Sequence, residues 1–262
     1  MSDGSGSGGS TSGVIYYNDT ASARVTSPSW SAERRRPRVL LGVTGSVAAV
    51  KWEELCLGLL AFADVRVVHT RSALHFAGLC RAYAPTVTAA WAVAAAEASP
   101  GSLGVAGSDV SLPVASARLG LLVDAVEWEG YACVGADTVA HIELKAWADA
   151  LVIAPASAHT VAKLAGGLAD NLLSTAARAW PFVRGRVAKP FIVAPAMNTD
   201  MWTHPVTATQ LAIITGWGVS IVDPVEKVLA CGDLGVGGLA PITDIIQRVK
   251  EELGFGLGLG VE

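Results

Sequence analysis

The sequence predicts an α/β fold, a single doubly wound parallel sheet with helices on both faces. Three observations predict it. Short aliphatic and β-branched runs alternate along the chain with longer helical stretches, the arrangement of parallel strands joined by crossover helices. The runs are apolar at nearly every position, as in Val39-Leu40-Leu41 and Leu151-Val152-Ile153, which strands covered on both faces require. Apolar residues make up 52% of the 262, enough for a core on each side of a sheet.

The elements follow in order. Residues 1–36 are Gly/Ser/Thr-rich and end in a basic run at Arg34 to Arg36, the composition of a disordered tail. The domain spans 37–253, and 254–262 reads as a flexible tail. Arg38 to Thr44 is the first strand, followed by Gly45-Ser46 and a helix from about Val47 to Phe62. Asp64 to His69 is the second strand, then a helix reaching about Cys80. Residues 85–125 read as an insertion, a surface excursion holding an Ala-rich helix and a Gly/Ser loop. A short helix over 139–147 feeds the strand Ala150 to Ala154, and a helical stretch from near Val161 continues to Trp180. Lys189 to Val193 is a buried strand; Pro205 breaks the chain before a helix over 207–215. Val219 to Val222 is the last strand, a glycine-dense loop over 228–240 reads as a lid or linker, and an amphipathic helix from Pro241 to Leu253 closes the fold.

Composition excludes several functions. A net charge of −4 with 16% charged residues leaves no basic patch for nucleic acid. Cys56, Cys80, Cys133 and Cys231 lack CxxC or CxxH spacing, which argues against zinc and a disulfide framework and suits a reducing cytosol. No apolar run has membrane-spanning length, and the Met-Ser-Asp-Gly start lacks the features of a secretory signal, so a cytoplasmic protein without a membrane partner is expected.

Polar residues collect at the carboxyl ends of the strands, where ligands bind in open α/β sheets. Gly45-Ser46 follows the first strand, Thr70-Arg71-Ser72 the second, and Pro155-Ala156-Ser157-Ala158-His159-Thr160 the strand at 150–154. Strand, small-residue turn and helix start together present N–H groups and a positive dipole end to an anion, commonly phosphate. Each turn is equally compatible with an ordinary helix cap. There is no GxGxxG. Pro195-Ala196-Met197-Asn198-Thr199-Asp200-Met201-Trp202 places two Met and a Trp around one neutral amide, which suits a flat apolar ligand with a polar handle and equally suits a helix capped by Asn198.

Taken together and in this order, Gly45-Ser46, Thr70-Arg71-Ser72, His141-Ile142-Glu143-Leu144, the Pro155–Thr160 turn, the Pro195–Trp202 stretch and Ala230-Cys231-Gly232-Asp233-Leu234-Gly235-Val236-Gly237 resemble the flavin-dependent cysteine decarboxylases. The resemblance covers about Pro37 to Leu253 outside the insertion, and the last two motifs are its most specific part. It implies a flavodoxin-like or Rossmann-like fold and a homotrimer with FMN between subunits. It also implies 4′-phosphopantothenoylcysteine as substrate and 4′-phosphopantetheine as product, in coenzyme A biosynthesis.

On matching positions the resemblance makes His141 the base, Cys231 the proton donor and Asn198 the amide that holds the substrate carboxylate. Met201, Val228, Leu229 and Ala230 would meet substrate; Gly45, Ser46, Val47, Thr70, Arg71, Ser72, Ser157, Ala158, His159, Thr160 and Ala196 fall at flavin positions. His159 stands where the family carries Asn, and Leu239 where it commonly carries Met. His69, His75 and His204 are read as structural.

The implied chemistry suits these residue types. In the family's reaction the cysteine thiol is oxidised to a thioaldehyde, CO2 leaves to give an enethiolate, and this is protonated and reduced back. A thiol of ordinary pKa, about 8.5, is mostly protonated at neutral pH and serves as an acid, and an imidazole near 6.5 is largely free to accept a proton. An uncharged amide holds a carboxylate without the strong ground-state stabilisation that would be lost as CO2 forms. Two alternatives stand beside this: a peptidyl-cysteine decarboxylase sharing the Asn198 motif, and a regulatory subunit of a mixed trimer or a phosphatase inhibitor. The Ala-Cys-Gly-Asp segment favours the small phosphorylated substrate, and the presence of His141, Asn198 and Cys231 in one chain favours a complete site.

Overall fold

The structure is a computed structural model that describes residues 35–97, 119–128, 132, 139–228 and 234–255. Most of both tails and the centre of the supposed insertion lie outside these, as do Leu229, Ala230, Cys231 and Cys133.

Six parallel strands form one sheet. They are β1 (Arg38–Val43), β2 (Asp64–His69), β3 (Leu119–Val123), β4 (Ala150–Ala156), β5 (Phe191–Pro195) and β6 (Ser220–Ile221). Their spatial order is β3-β2-β1-β4-β5-β6, with Val39 beside Val65 on one side and Ala150 on the other. The order reverses direction between β1 and β4, so the crevice beyond their carboxyl ends is the topological switch point of a doubly wound α/β fold.

Side chains leave each strand on alternate faces and define two cores. Val39, Leu41 and Val43 of β1 and Ala150, Val152 and Ala154 of β4 face one core. The helices α1 (Trp52–Leu60) and α10 (Ile242–Glu252) cover that face through Leu55, Leu59, Ile245 and Val249. Leu40, Leu151, Ile153 and Val193 face the other core. There α5 (Ala140–Trp147), α6 (Ala158–Gly166), α7 (Leu172–Arg178) and α9 (Pro205–Gly216) contribute Leu144, Val161, Leu173 and Ile214. A Cβ at Gly42 would collide with the Leu173 side chain, so this glycine lets α7 lie close on β1.

Several expectations are corrected. The helix read as reaching about Cys80 is α2 (Arg71–Ala77), followed by a single turn α3 (Cys80–Tyr83), and residues 85–125 do not form a surface excursion as a whole: α4 (Pro85–Glu97) buries Trp91 edge-on against Trp52, and Leu119–Val123 is the sheet's edge strand. Between them, residues 98–118 lie outside the described part. The helix read from Val161 to Trp180 is two, because Gly167 ends α6 at φ +71° and Asn171 starts α7 with a capping box. Pro205 opens α9 at its first turn, where its missing N–H costs nothing, and a shorter α8 (Thr199–Thr203) precedes it. The glycine-dense loop is in its described part a hairpin, β7 (Val225–Val228) antiparallel to β8 (Leu234–Gly238). A second small hairpin pairs Phe182–Val183 with Arg186–Val187. At the amino end, Arg35 already grips Asp149 with two hydrogen bonds of 2.8 Å, and Arg36 donates to the carbonyls of Leu60 and Ala63.

Candidate active site

A cleft of about 1000 Å3 opens at the switch point. It is lined by Gly45, Ser46 and Val47 beyond β1, Thr70, Arg71 and Ser72 beyond β2, Ser157, Ala158, His159 and Thr160 beyond β4, and Ala196, Asn198 and Met201 beyond β5. The sequence-predicted flavin positions thus converge on one surface. Three of the hydroxyls also act as caps. Ser46 accepts from the Ala48 N–H, Thr70 from that of Ala73 and Ser157 from that of Thr160. The caps do not exhaust these turns, since a capped helix start still has N–H groups free for a ligand.

Thr44, which sequence reasoning passed over, fixes the floor. It is fully buried; its hydroxyl donates to the Pro155 carbonyl at 2.8 Å and accepts from the Ser157 N–H at 2.8 Å. With the Thr44 N–H, which donates to the same carbonyl at 3.3 Å, this side chain ties the β1 and β4 turns together across the crevice. Gly45 is required beside it, because a Cβ there would run into Ser72.

The charged lining was largely illegible. Lys163, one turn inside α6, reaches the cleft and holds Asp170 at 2.6 Å, which keeps that carboxyl below its ordinary range. Asp124 opens a single 3-10 turn (Asp124–Glu127) after β3 and accepts from the Leu172 N–H at 3.2 Å. Burial pushes the Asp124 carboxyl up, against the backbone N–H groups of Leu172 and Arg71. Lys227 on β7 and Lys51 complete the rim; burial first, and Lys51 second, push the Lys227 ammonium down. Each lies in a stretch without a motif, so only the fold brings them together.

Asn198 caps α8, its side-chain oxygen accepting from the Asp200 N–H at 2.8 Å. Its loop is tied to the hairpin by the Met197 N–H, which donates to the Gly237 carbonyl at 2.9 Å. Gly237 has φ +137°, and a Cβ there would strike the Met197 carbonyl. Val228 ends β7 at the hairpin's far end, while Leu229, Ala230 and Cys231 lie outside the described residues.

His141 is not among the residues lining this cleft. It sits in the first turn of α5 and its Nδ1 lies 2.5 Å from Oε1 of Glu127. Among the described residues no His/Cys/Asp/Glu group is arranged to hold a metal, and no helix is long and apolar enough to cross a membrane. His204 caps α9 through the Val206 N–H, and His69 is buried.

A doubly wound sheet with a hydroxyl-rich, helix-start-lined cleft at its switch point defines a protein of the mononucleotide-binding α/β class. Within that class the chain belongs to the Flavoprotein family, whose profile matches residues 28–254. It is 42% identical over 219 residues to phosphopantothenoylcysteine decarboxylase HAL3a of Glycine max, covering 84% of this chain and 85% of the relative. Among solved structures it is similar to a Cys-to-Ser mutant of PPC decarboxylase complexed with pantothenoylaminoethenethiol, at TM-score 0.65 and 40% identity over 83% of this chain and 98% of the other. It is similar also to the FMN binding protein AtHal3, at TM-score 0.62 and 40% identity over 83% and 96%.

The residues present fit such a cofactor. The cleft is large enough for a mononucleotide. Capping hydroxyls and the start of α6 suit a phosphate, and Val47, Ala196, Met197 and Met201 offer an apolar wall to a flat ring.

Proposed function

We propose that this chain is an FMN-dependent enzyme of the cytoplasm that decarboxylates 4′-phosphopantothenoylcysteine to 4′-phosphopantetheine, and that it works as a homotrimer. The observation that carries the reading is the convergence of Ser46, Thr70, Ser157 and Asn198 on one cleft in a chain of the Flavoprotein family. The net reaction consumes one proton and releases CO2, with the thiol returned to its starting oxidation state. When bound, FMN supplies a reversible two-electron acceptor for that thiol.

The chain's own residues supply the rest. The N–H groups and hydroxyls of Ser46, Thr70 and Ser157 to Thr160 would hold the cofactor phosphate, and Ala196 and Val47 would offer its ring an apolar surface. The Asn198 amide receives the substrate carboxylate without a counter-charge, so the group is not over-stabilised before it leaves as neutral CO2. Met201 meets substrate, and Val228, with Leu229 and Ala230 beyond the described residues, offers it backbone contacts. His141 takes a proton from substrate and Cys231 returns one to the carbon that loses CO2. His141 lies outside the cleft lining of its own chain, which supports a trimer in which one subunit's His141 serves its neighbour's cleft. Nucleic acid and membrane play no part in this reading.

The test is the visible spectrum of the purified protein followed by CO2 release from 4′-phosphopantothenoylcysteine. A yellow, active protein, and a Cys231→Ser variant that stalls with an oxidised product, are expected. A colourless protein that neither takes up FMN nor releases CO2 would overturn the enzyme reading and favour a regulatory subunit.

A further inference from the structure

A close polar contact outside the cleft lining joins His141 to Glu127. The two come from different elements, 14 residues apart in sequence. Glu127 ends the 3-10 turn that leaves β3, and its side chain is only 8% exposed; that of His141 is 19% exposed. At 2.5 Å, Nδ1 and Oε1 are within hydrogen-bond distance of one another. The turn is held at its other end as well, since Asp124 accepts from the Leu172 N–H at the start of α7. Glu127 is therefore delivered to α5 by a segment fastened to the next helix. Its second oxygen, Oε2, is buried and has no partner among the described residues, so the cost of sequestering this carboxylate is offset mainly at the imidazole.

We propose that Glu127 is a positioning residue for His141, holding the proton on Nδ1 so that Nε2 is the atom that accepts a proton from substrate. The inference rests on the decarboxylase reading for its catalytic consequence, though not for the pairing itself. The physical reason is tautomer control. A neutral imidazole has one donor and one acceptor nitrogen, and a carboxylate against Nδ1 assigns the donor to that atom. It also restrains rotation of the ring about its bond to Cβ, so the lone pair on Nε2 keeps one direction. A structural role alone, filling space under α5, would be served as well by an apolar side chain of similar size.

The experiment compares wild type with Glu127→Leu and Glu127→Gln in the FMN-loaded protein. Ring nitrogens are read by 15N NMR on histidine-labelled protein, the His141 signals being assigned by their loss in His141→Gln. In wild type at neutral pH the expected pattern is a protonated Nδ1 and an unprotonated Nε2. In Glu127→Leu that pattern gives way to a mixture of tautomers. The kcat of this variant falls about 100-fold while KM stays within about twofold and FMN content is unchanged. Glu127→Gln, which keeps an acceptor oxygen at the same reach but no charge, recovers about tenfold of the loss and stays about tenfold below wild type in kcat. A wild-type ring unprotonated at Nδ1, or a Glu127→Leu enzyme with full kcat, overturns the inference while leaving the decarboxylase reading intact. If Glu127→Leu fails to fold, Glu127→Gln decides alone: unchanged KM with lowered kcat supports positioning, and wild-type kinetics overturn it. A wild type that binds FMN yet releases no CO2 overturns the decarboxylase reading instead, and the ring spectrum then upholds or overturns the pairing by itself.

Discussion

Asn198 carries two duties that one substitution separates. Its side-chain oxygen caps α8, and its amide is the proposed seat of the substrate carboxylate. Asp is as good a cap as Asn, so Asn198→Asp is expected to keep the melting temperature within about 2 °C. It sets a second carboxylate against the substrate's, a repulsion of several kcal/mol, and kcat/KM is expected to fall about 100-fold or more. Parallel thermal melts and steady-state kinetics check this; loss of both together would mean the cap was disturbed. Thr44 offers a contrasting case, because it touches no proposed substrate atom. Thr44→Val keeps its shape and the bond from the residue 44 N–H to the Pro155 carbonyl but orphans the Ser157 N–H, a cost of about 1–3 kcal/mol by urea denaturation, together with weaker FMN retention. Thr44→Ser is expected to restore both.

At the scale of elements, the contact of α7 with β1 depends on a missing methyl. Gly42 meets Leu173 where any Cβ would overlap its branch. Gly42→Ala is expected to destabilise by about 1–3 kcal/mol through overpacking, and Leu173→Ala by about 2–5 kcal/mol through the cavity it leaves. The double variant should lose less than the sum of the two, since each relieves the other's defect; a set of urea melts measures that coupling. The same scale explains which elements were legible. β1, β4 and β5 are uninterrupted aliphatic runs with both faces covered, so composition alone exposes them. β8 was hidden because Gly235, Gly237 and Gly238 erase its strand signal. They are there because Thr199, the Met197 carbonyl and Lys227 come too close for any side chain. β3 was hidden too, its flanks being short of pattern and its Gly120 packed beneath Arg66. Of the site, the capping hydroxyls were readable from their positions after strands. Glu127, Lys163 and Asp124 were not, because their partners are named only by the fold.

For the whole molecule, His69 is a buried polar group that bears on stability. It is fully buried at the end of β2, edge-on to the Trp52 ring at 4.7 Å, and neither ring nitrogen has a partner among the described residues. Burial pushes its pKa down to about 4. Between the ordinary value near 6.5 and about 4, the unfolded chain binds a proton that the folded chain refuses, so stability falls as pH drops through that window and levels off below it. The full effect is about 3 kcal/mol. Urea unfolding at pH 7, 5.5 and 4.5, with His69→Phe as the control, checks it: the variant should lose less stability on acidification than wild type does.

The position of β1 at the centre of the sheet also governs how the chain is born. Its inner neighbour is β4, whose Ala150 pairs with Val39 across more than a hundred intervening residues. During synthesis β1 emerges long before that partner, and a polypeptide leaves the ribosome at about 5–20 residues per second. For several seconds one edge of a strongly apolar strand has nothing of its own chain to pair with, which is the exposure that recruits chaperones or seeds aggregation. Moving the start of the chain to a break between β3 and α5, so that β4 precedes β1, would let β1 emerge with that partner already made, without altering the strand pairing of the finished sheet.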